Sequence, residues 1–171
     1  MSKIKTSIEG SIKFPSVEFN PCNIKELDAN LQLTEHIKLY EWANNRASDA
    51  VKMIINSDIA EFAEMVEELR LIYGKPFNFN SAYRTKSFNK SCGGSSNSLH
   101  LQCRACDIKF TKCSDKTFNL IDENWQKICA KHGKIGGINR YTNMIHIDNH
   151  EDYFGNKSYT HRDYRGTSSD V

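Results

Sequence analysis

Apolar residues recur at three- and four-residue intervals in three stretches of the chain, and this spacing predicts helices. The first stretch is residues 34–56, which we interpret as one helix or as two divided at Asn44-Asn45. The second begins at Asp58, an N-cap that forms a capping box with Glu61, and ends at Gly74. The third begins after the N-cap Ser114 and stops near Gly133. Each helix therefore has one face available to cover a sheet.

Alternating apolar and polar positions predict short strands between these helices. In residues 77–83 the alternation places four side chains on one face: Phe77, Phe79, Ser81 and Tyr83. In residues 104–110 Cys106 and Ile108 share the apolar face, whereas Asp107 lies on the opposite face. Residues 86–97 contain Gly93-Gly94 and four serines, and we predict a loop there.

A last pair of strands, residues 135–141 and 144–148, is predicted to be joined by a turn near Thr142-Asn143. Ile145 and Ile147 face the core, and His146 and Asp148 face the other side. These elements indicate an α+β fold with a small antiparallel sheet and flanking helices. We divide the chain into an irregular N-terminal arm (1–32), one domain (33–148) and a polar C-terminal tail (149–171) that includes His150 and His161.

Composition limits the class of protein further. A length of 171 residues fits one domain, and 39% hydrophobic and 26% charged residues are ordinary for a globular protein. The net charge of +2 does not require a nucleic-acid partner, and no apolar run reaches transmembrane length. The N-terminus lacks the apolar core of a signal peptide. We therefore expect a monomer made in the cytoplasm, without nucleic-acid or membrane partners.

The six cysteines suggest two other kinds of chemistry. A four-cysteine zinc site is unsupported, because Cys103 and Cys106 form the only C-x-x-C in the sequence. A thiol-redox role for this pair is a possible alternative, but strand alternation points Cys106 at the core. We expect free thiols rather than disulfides in a protein of the cytoplasm.

Candidate metal ligands come from three separate places in the chain. His100 precedes the second strand, Asp107 lies on its polar face, and His146 lies on the polar face of the last strand. A catalytic zinc commonly takes three protein ligands and keeps one position for water, and histidine with carboxylate suits it. The other interpretation, which spacing alone leaves open, is a loop histidine and a solvated carboxylate.

Four motif elements in order resemble the zinc D-alanyl-D-alanine carboxypeptidase family, which includes phage endolysins and shares its fold with the Hedgehog signalling domain. The family pattern is approximately S-G-Y-R-S, V-G-G, S-x-H-x-x-G-x-A-x-D and a final strand with H-x-D. The matching elements are Ser81-Ala82-Tyr83-Arg84-Thr85, Cys92-Gly93-Gly94, the set Ser98, His100, Ala105 and Asp107, and Ile145-His146-Ile147-Asp148. The resemblance covers about half of the chain.

The resemblance implies roles for individual residues. His100, Asp107 and His146 would be zinc ligands, and Arg84, with Ser98 of the third motif element, would bind the substrate peptide. A guanidinium fork suits a carboxylate or a carbonyl. Without the resemblance, a surface salt bridge would be the simpler interpretation of Arg84.

Three positions depart from the family pattern. Ala82 and Cys103 replace motif glycines, and Cys103 is tolerable if its backbone is not at positive φ. Several family members carry a carboxylate three residues before the last histidine, where this chain has Asn143. Asp148 is then our candidate catalytic base, and the alternative is that it orients a ligand histidine.

These observations predict a zinc metallopeptidase that hydrolyses peptide bonds in peptidoglycan stem peptides, of the D,D-carboxypeptidase or endolysin type. The alternative is a binding module of the same fold that retains zinc and has lost activity, which the substitution at Asn143 would permit. We expect action at the bacterial cell wall after release, or as part of a phage virion.

Overall fold

The computed structural model describes residues 17–18, 32–42, 54–55, 57–151 and 157–167. Most of the predicted N-terminal arm lies outside this part of the chain, as does the possible helix break at Asn44-Asn45. Within it, a two-stranded antiparallel ribbon pairs β1 (Val17–Glu18) with β2 (Ile54–Ile55).

The main sheet has five strands in the order β3-β4-β6-β5-β7. They are β3 (Asn78–Ser81), β4 (Ala105–Lys109), β5 (Gly137–Arg140), β6 (Met144–Asp148) and β7 (Thr160–Asp163). All neighbouring strands are antiparallel except β5 and β7, which are parallel. The predicted α+β fold with flanking helices is confirmed.

Four α-helices accompany the sheet in the described part of the chain. They are α1 (Leu39–Trp42), α2 (Ser57–Tyr73), α3 (Lys86–Ser91) and α4 (Asp115–Lys131). A 3-10 helix, Leu99–Gln102, precedes β4. The Ser114 hydroxyl accepts a hydrogen bond from the Thr117 amide, as the predicted cap of α4 requires. Gly74 ends α2 with a φ of 74°.

The hydrophobic core lies between one face of the sheet and the helices α2 and α4. Alternate residues of the inner strands enter this core, namely Cys106, Ile108, Ile138, Ile145 and Ile147. Phe62 of α2 links the layers through edge-on contacts with Trp42 and Trp125, whose ring centroids lie 5.4 and 5.9 Å away. Because alternate residues point to opposite faces, the polar side chains of Asp107, His146 and Asp148 lie on the other face of the sheet.

Strand β3 contains a β-bulge, so the strict alternation predicted for this strand is wrong. Phe79 pairs with Ile108 and packs against Trp42, but Ser81 pairs with Asp107, and the register shifts between Phe79 and Ser81. The extra residue turns Ser81 to the face opposite Phe79, although strict alternation would place both on one face. The bulge therefore places Ser81 beside Asp107 on the polar face of the sheet.

Two further predictions of local structure were wrong. Residues 33–36 form bends and Ile54–Ile55 forms a strand, so the helical part described within 34–56 is α1 alone. Leu33, Ile37 and Trp42 are buried although they do not lie on one continuous helix. Their spacing therefore reflects burial and not helical periodicity. The predicted loop at 86–97 begins with α3, whose N-cap Thr85 accepts a hydrogen bond from the Phe88 amide.

The segment after residue 149 also differs from the polar tail that the sequence suggested. It contributes β7, which pairs with β5 at the edge of the main sheet. His150 is buried, and Tyr159 packs against the hydrophobic core. Parallel pairing with β5 could not be read from local alternation, because Thr160–Asp163 has no apolar face of its own.

Candidate metal centre

Neighbouring strands bring Asp107 and His146 together on the polar face of the sheet. Asp107 of β4 pairs directly with His146 of β6 in the antiparallel register. Directly opposed side chains on one face lie close together. The Nδ1 atom of His146 is 2.8 Å from Oδ1 of Asp107.

His100 approaches the same pair from the 3-10 helix. Its Nδ1 atom lies 2.6 Å from the Ala82 carbonyl oxygen, which assigns the proton to Nδ1 because a carbonyl can only accept. The backbone amide of Arg84 in turn donates to the His100 carbonyl oxygen at 3.0 Å. These two bonds hold the imidazole, which is 3% exposed, with Nε2 directed at the strand pair.

The three candidate ligand atoms form a triangle with two equal edges and one shorter edge. His100 Nε2 is 3.3 Å from His146 Nδ1 and 3.3 Å from Asp107 Oδ1, and the remaining edge is 2.8 Å. Ligand atoms bound tetrahedrally at zinc distances of roughly 2.0–2.1 Å lie about 3.3 Å apart. In the part of the chain that the structure describes, this is the group of His, Cys, Asp or Glu residues that could hold a metal ion.

Contacts among Asp107, His100 and His146 shift the pKa values of these three side chains. Burial alone would raise the pKa of Asp107, but His100 and His146 beside it hold that pKa well below its usual range. Burial lowers the pKa of His100, and Asp107 offsets this only in part. Burial also opposes the charged form of His146, yet its hydrogen bond to Asp107 and its contact with Asp148 raise its pKa to about 9. His146 would therefore release a proton when Nδ1 binds a metal.

Arg84 contacts the candidate ligand Asp107. Its Nη2 atom lies 2.5 Å from Asp107 Oδ2, and its Nε donates to the Ser81 hydroxyl at 2.8 Å. The Arg84 side chain is 17% exposed and that of Asp107 is 3% exposed, so this pair is not a surface salt bridge. No hydrogen bond or ion pair within the described residues engages the third guanidinium nitrogen, Nη1.

Asp148 lies beyond His146, on the side of the imidazole that carries Nε2. Its Oδ2 atom is 3.6 Å from His146 Nε2, and its Oδ1 atom is 2.6 Å from His150 Nδ1. Burial would raise the pKa of Asp148, but its contacts with these two histidines hold it well below its usual range. Sequence reasoning placed His150 in a polar tail and missed this contact, although its H-x-D-x-H spacing with His146 was visible.

The remaining predicted residues lie at the margins of the group. Ser98 immediately precedes the 3-10 helix, is half-buried, and makes no capping hydrogen bond with its side chain. Asn143 is exposed in the turn between β5 and β6, where its carbonyl oxygen accepts from the Phe110 amide. The role of Ser98 in substrate binding stays a prediction.

Cys103 has a backbone φ of 57°, so the condition set for replacing the motif glycine is not met. It is the one non-glycine residue at positive φ in the described part of the chain. Cys103 and Cys106 are buried and form no disulfide among the described residues, and burial raises the pKa of both thiols. Raised thiol pKa values argue against the redox alternative, since the thiolate is the reactive species.

Comparison with known proteins gives a family for this arrangement. A family model described as Peptidase M15 matches residues 31–148, which is more than half of the chain. No curated protein matches the chain. None of the helices in the described ranges combines the length and the apolar composition needed to span a membrane.

Proposed function

Because this chain belongs to the peptidase M15 family, we propose that it is a zinc-dependent peptidase that hydrolyses peptide bonds in peptidoglycan stem peptides. The observation that carries the proposal is the triangle of candidate ligand atoms from His100, Asp107 and His146, two of whose edges match the spacing around a tetrahedral zinc. We further propose that the protein acts as a monomer at the bacterial cell wall after release from the cytoplasm.

Three side chains would hold the metal, each through one atom. These atoms are Nε2 of His100, Oδ1 of Asp107 and Nδ1 of His146. When bound, zinc makes its water acidic and polarises the substrate carbonyl. The other atom of each ligand side chain is held by a partner, namely the Ala82 carbonyl, Arg84 or Asp148, and such partners orient ligands and tune their basicity.

Arg84 would serve both the ligand and the substrate. Nη2 and Nε hold the guanidinium against Asp107 and Ser81, and Nη1 is left without a hydrogen bond to the described residues. A guanidinium fixed at two points loses little further entropy when its third nitrogen binds a carbonyl or a carboxylate. We assign Nη1 to the substrate peptide, with Ser98 as a second substrate-binding group.

Asp148 has contacts that favour orientation over proton transfer. One carboxylate oxygen accepts from His150, and the other faces the Nε2 edge of His146, while Nδ1 faces the other ligands. We therefore propose that Asp148 orients His146. A direct role of Asp148 as the general base remains the competing hypothesis.

Purified peptidoglycan incubated with zinc-loaded protein tests this function. We expect mass spectrometry of the muropeptides to show stem peptides shortened by hydrolysis, with activity lost in chelator and restored by zinc. Stoichiometric zinc without any product would favour the inactive binding module. A protein that binds no zinc would overturn both functions.

A further inference from the structure

Strand β7 (Thr160–Asp163) follows the residues that the family model matches, and it adds a fifth strand to the polar face of the sheet. Cross-strand pairing aligns Ser81, Asp107, His146, Asn139 and Arg162 in one row over all five strands. Residues in such a row point to the same face of a sheet. Arg162 therefore belongs to the face that holds the candidate metal centre, two strands away from His146.

The neighbours of Arg162 on β7 confirm this orientation. His161 points to the opposite face, where its Nδ1 atom is 2.8 Å from Asp122 of α4 and its ring packs against Phe118. Asp163 also belongs to that side and is neutralised by Arg165, 2.7 Å away. Alternation along the strand then places Arg162 with the metal ligands.

Two tyrosines connect Arg162 with the centre. The rings of Tyr141 and Tyr164 stack with centroids 5.4 Å apart, and Arg162 Nη1 donates to the Tyr164 hydroxyl at 3.3 Å. Burial raises the pKa of Tyr141, Asp107 adds to this, and Arg84 and Arg162 act in the opposite direction. Tyr164 therefore connects the guanidinium of Arg162 with the ring of Tyr141.

The charge of Arg162 is exposed on this face and makes no ion pair with an acid of the described residues. Two acids described on this face are already neutralised, because Asp107 is paired with Arg84 and His146 and Asp148 is paired with His146 and His150. An arginine held beside aromatic rings, with no acid of the described residues paired to it, suits a carboxylate of a ligand.

We propose that Arg162, supported by Tyr141 and Tyr164, forms a subsite that binds a carboxylate of the peptide substrate about three residues from the scissile bond. Strands are about 4.8 Å apart, so two strands span roughly 10 Å, which is about three residues of an extended peptide. This inference rests on the proposed peptidase function and names its preferred substrate class, an acidic peptide. The carboxylate is either a side chain or the C-terminus of the peptide.

Four synthetic peptides distinguish a side-chain carboxylate from the C-terminal carboxylate as the group that is bound. They are L-Ala-D-Glu-L-Lys-D-Ala-D-Ala, its analogue with D-Gln for D-Glu, and the C-terminal amides of both. We expect wild-type zinc-loaded protein to prefer one carboxylate over its amide by about tenfold in kcat/KM, the usual worth of one charge-assisted hydrogen bond. Arg162→Gln should reduce that preference to less than about threefold by raising KM.

Arg165→Gln is the matched control, since Arg165 lies on the same segment but pairs with Asp163 and Asp115 toward α4. It should keep the wild-type preference. Binding of the four peptides to metal-free protein, measured by calorimetry, tests the subsite without turnover. There too we expect the carboxylate preference in wild type and its loss in Arg162→Gln.

The outcomes distinguish the two proposals. Turnover without any carboxylate preference, or with a preference unchanged in Arg162→Gln, overturns the subsite and leaves the peptidase intact. Absence of turnover together with an Arg162-dependent preference in binding supports the subsite and overturns the peptidase. Neither turnover nor preferential binding overturns both.

Discussion

The orientation of the His146 ring determines how Asp148 can contribute to the site. Because Nδ1 faces His100 and Asp107, Nε2 is the atom next to the Asp148 carboxylate. A carboxylate at that position holds the ring and strengthens the ligand, and losing such a partner typically costs about 10–100-fold in metal affinity.

Asp148→Asn tests this assignment against the catalytic-base hypothesis. If Asp148 orients His146, we expect zinc affinity to fall by about 10–100-fold, because the amide makes the ligand less basic. A general base would instead lose about 10²–10⁴-fold in kcat with zinc affinity near wild type. Competition titration with a zinc indicator and kcat are measured on the same variant. Asp122→Asn, which alters another Asp–His pair, is the control and should change neither.

Arg84→Lys tests the two-point clamp on the guanidinium. Lysine keeps the charge but cannot contact Asp107, Ser81 and the substrate at once. We expect kcat/KM to fall by about tenfold or more, since at least one hydrogen bond to a charged group is lost. Circular dichroism should remain as in wild type, and zinc should still bind stoichiometrically, because lysine keeps the positive charge beside Asp107.

Arg104→Lys is the matched control for that substitution. Arg104 also makes two hydrogen bonds through its guanidinium, but to Asn149 rather than to a candidate ligand. Equal kcat/KM in Arg84→Lys and Arg104→Lys would remove Arg84 from the mechanism.

Cys103 shows a conflict between local backbone conformation and side-chain identity. Its φ of 57° costs a residue with a Cβ atom about 1–2 kcal/mol. Glycine avoids this cost, but its greater conformational entropy in the unfolded state lowers the stability of the folded protein by about 0.4–1 kcal/mol. We expect Cys103→Gly to be more stable than Cys103→Ala by up to about 1 kcal/mol by denaturant unfolding. At Cys106, within β4, the order should reverse, with the glycine variant less stable.

At the scale of elements, the junction of β5, β6 and β7 supports the candidate centre. Gly137 of β5 lies in the same row as Asp148 and Thr160. A Cβ atom at this position would overlap the Thr160 hydroxyl and lie 3.0 Å from Asp148 Oδ2. Glycine is therefore needed for close approach rather than for its backbone angles.

Gly137→Ala should loosen β7 and displace Asp148. Overpacking of this kind costs typically about 1–3 kcal/mol, and we expect a loss within that range by thermal or denaturant unfolding. The double variant Gly137→Ala with Thr160→Ala removes the overlapping hydroxyl and should recover part of the loss. If the double variant is no more stable than the sum of the single changes predicts, the overlap is not the cause.

At the scale of the whole molecule, the proposed metal site joins segments that are far apart in the sequence. The candidate ligands come from the 3-10 helix, β4 and β6, so the three are brought together only when the sheet is folded. A ligand that binds only the folded state stabilises it by about 4 kcal/mol at a thousandfold excess over Kd.

Zinc removal should therefore lower Tm, as measured by calorimetry with and without chelator. His100→Ala should abolish this zinc-dependent difference, because it removes one of the three ligands. His161→Ala, a substitution of an exposed histidine outside the group, should retain it. A wild-type protein that holds zinc but shows the same Tm after chelation would contradict the proposed coupling.

The sequence by itself determined features whose causes are local. The apolar stripe of α2, the Ser114 cap of α4 and the alternation of β4 and β6 all follow from neighbouring residues. Alternation also placed Asp107 and His146 on one face, and the motif spacing added His100. The three candidate ligands could therefore be named before any contact was known.

Only the tertiary structure decided which groups surround those ligands. The bulge that turns Ser81 toward Arg84, the burial of His150 against Asp148, and the parallel pairing that brings Arg162 into the row all depend on register between distant segments. Register reflects how whole elements pack, and period-two patterns alone leave it open when a strand has no apolar face. The ligand triangle was therefore predictable from the sequence, whereas the groups that orient it and extend it were not.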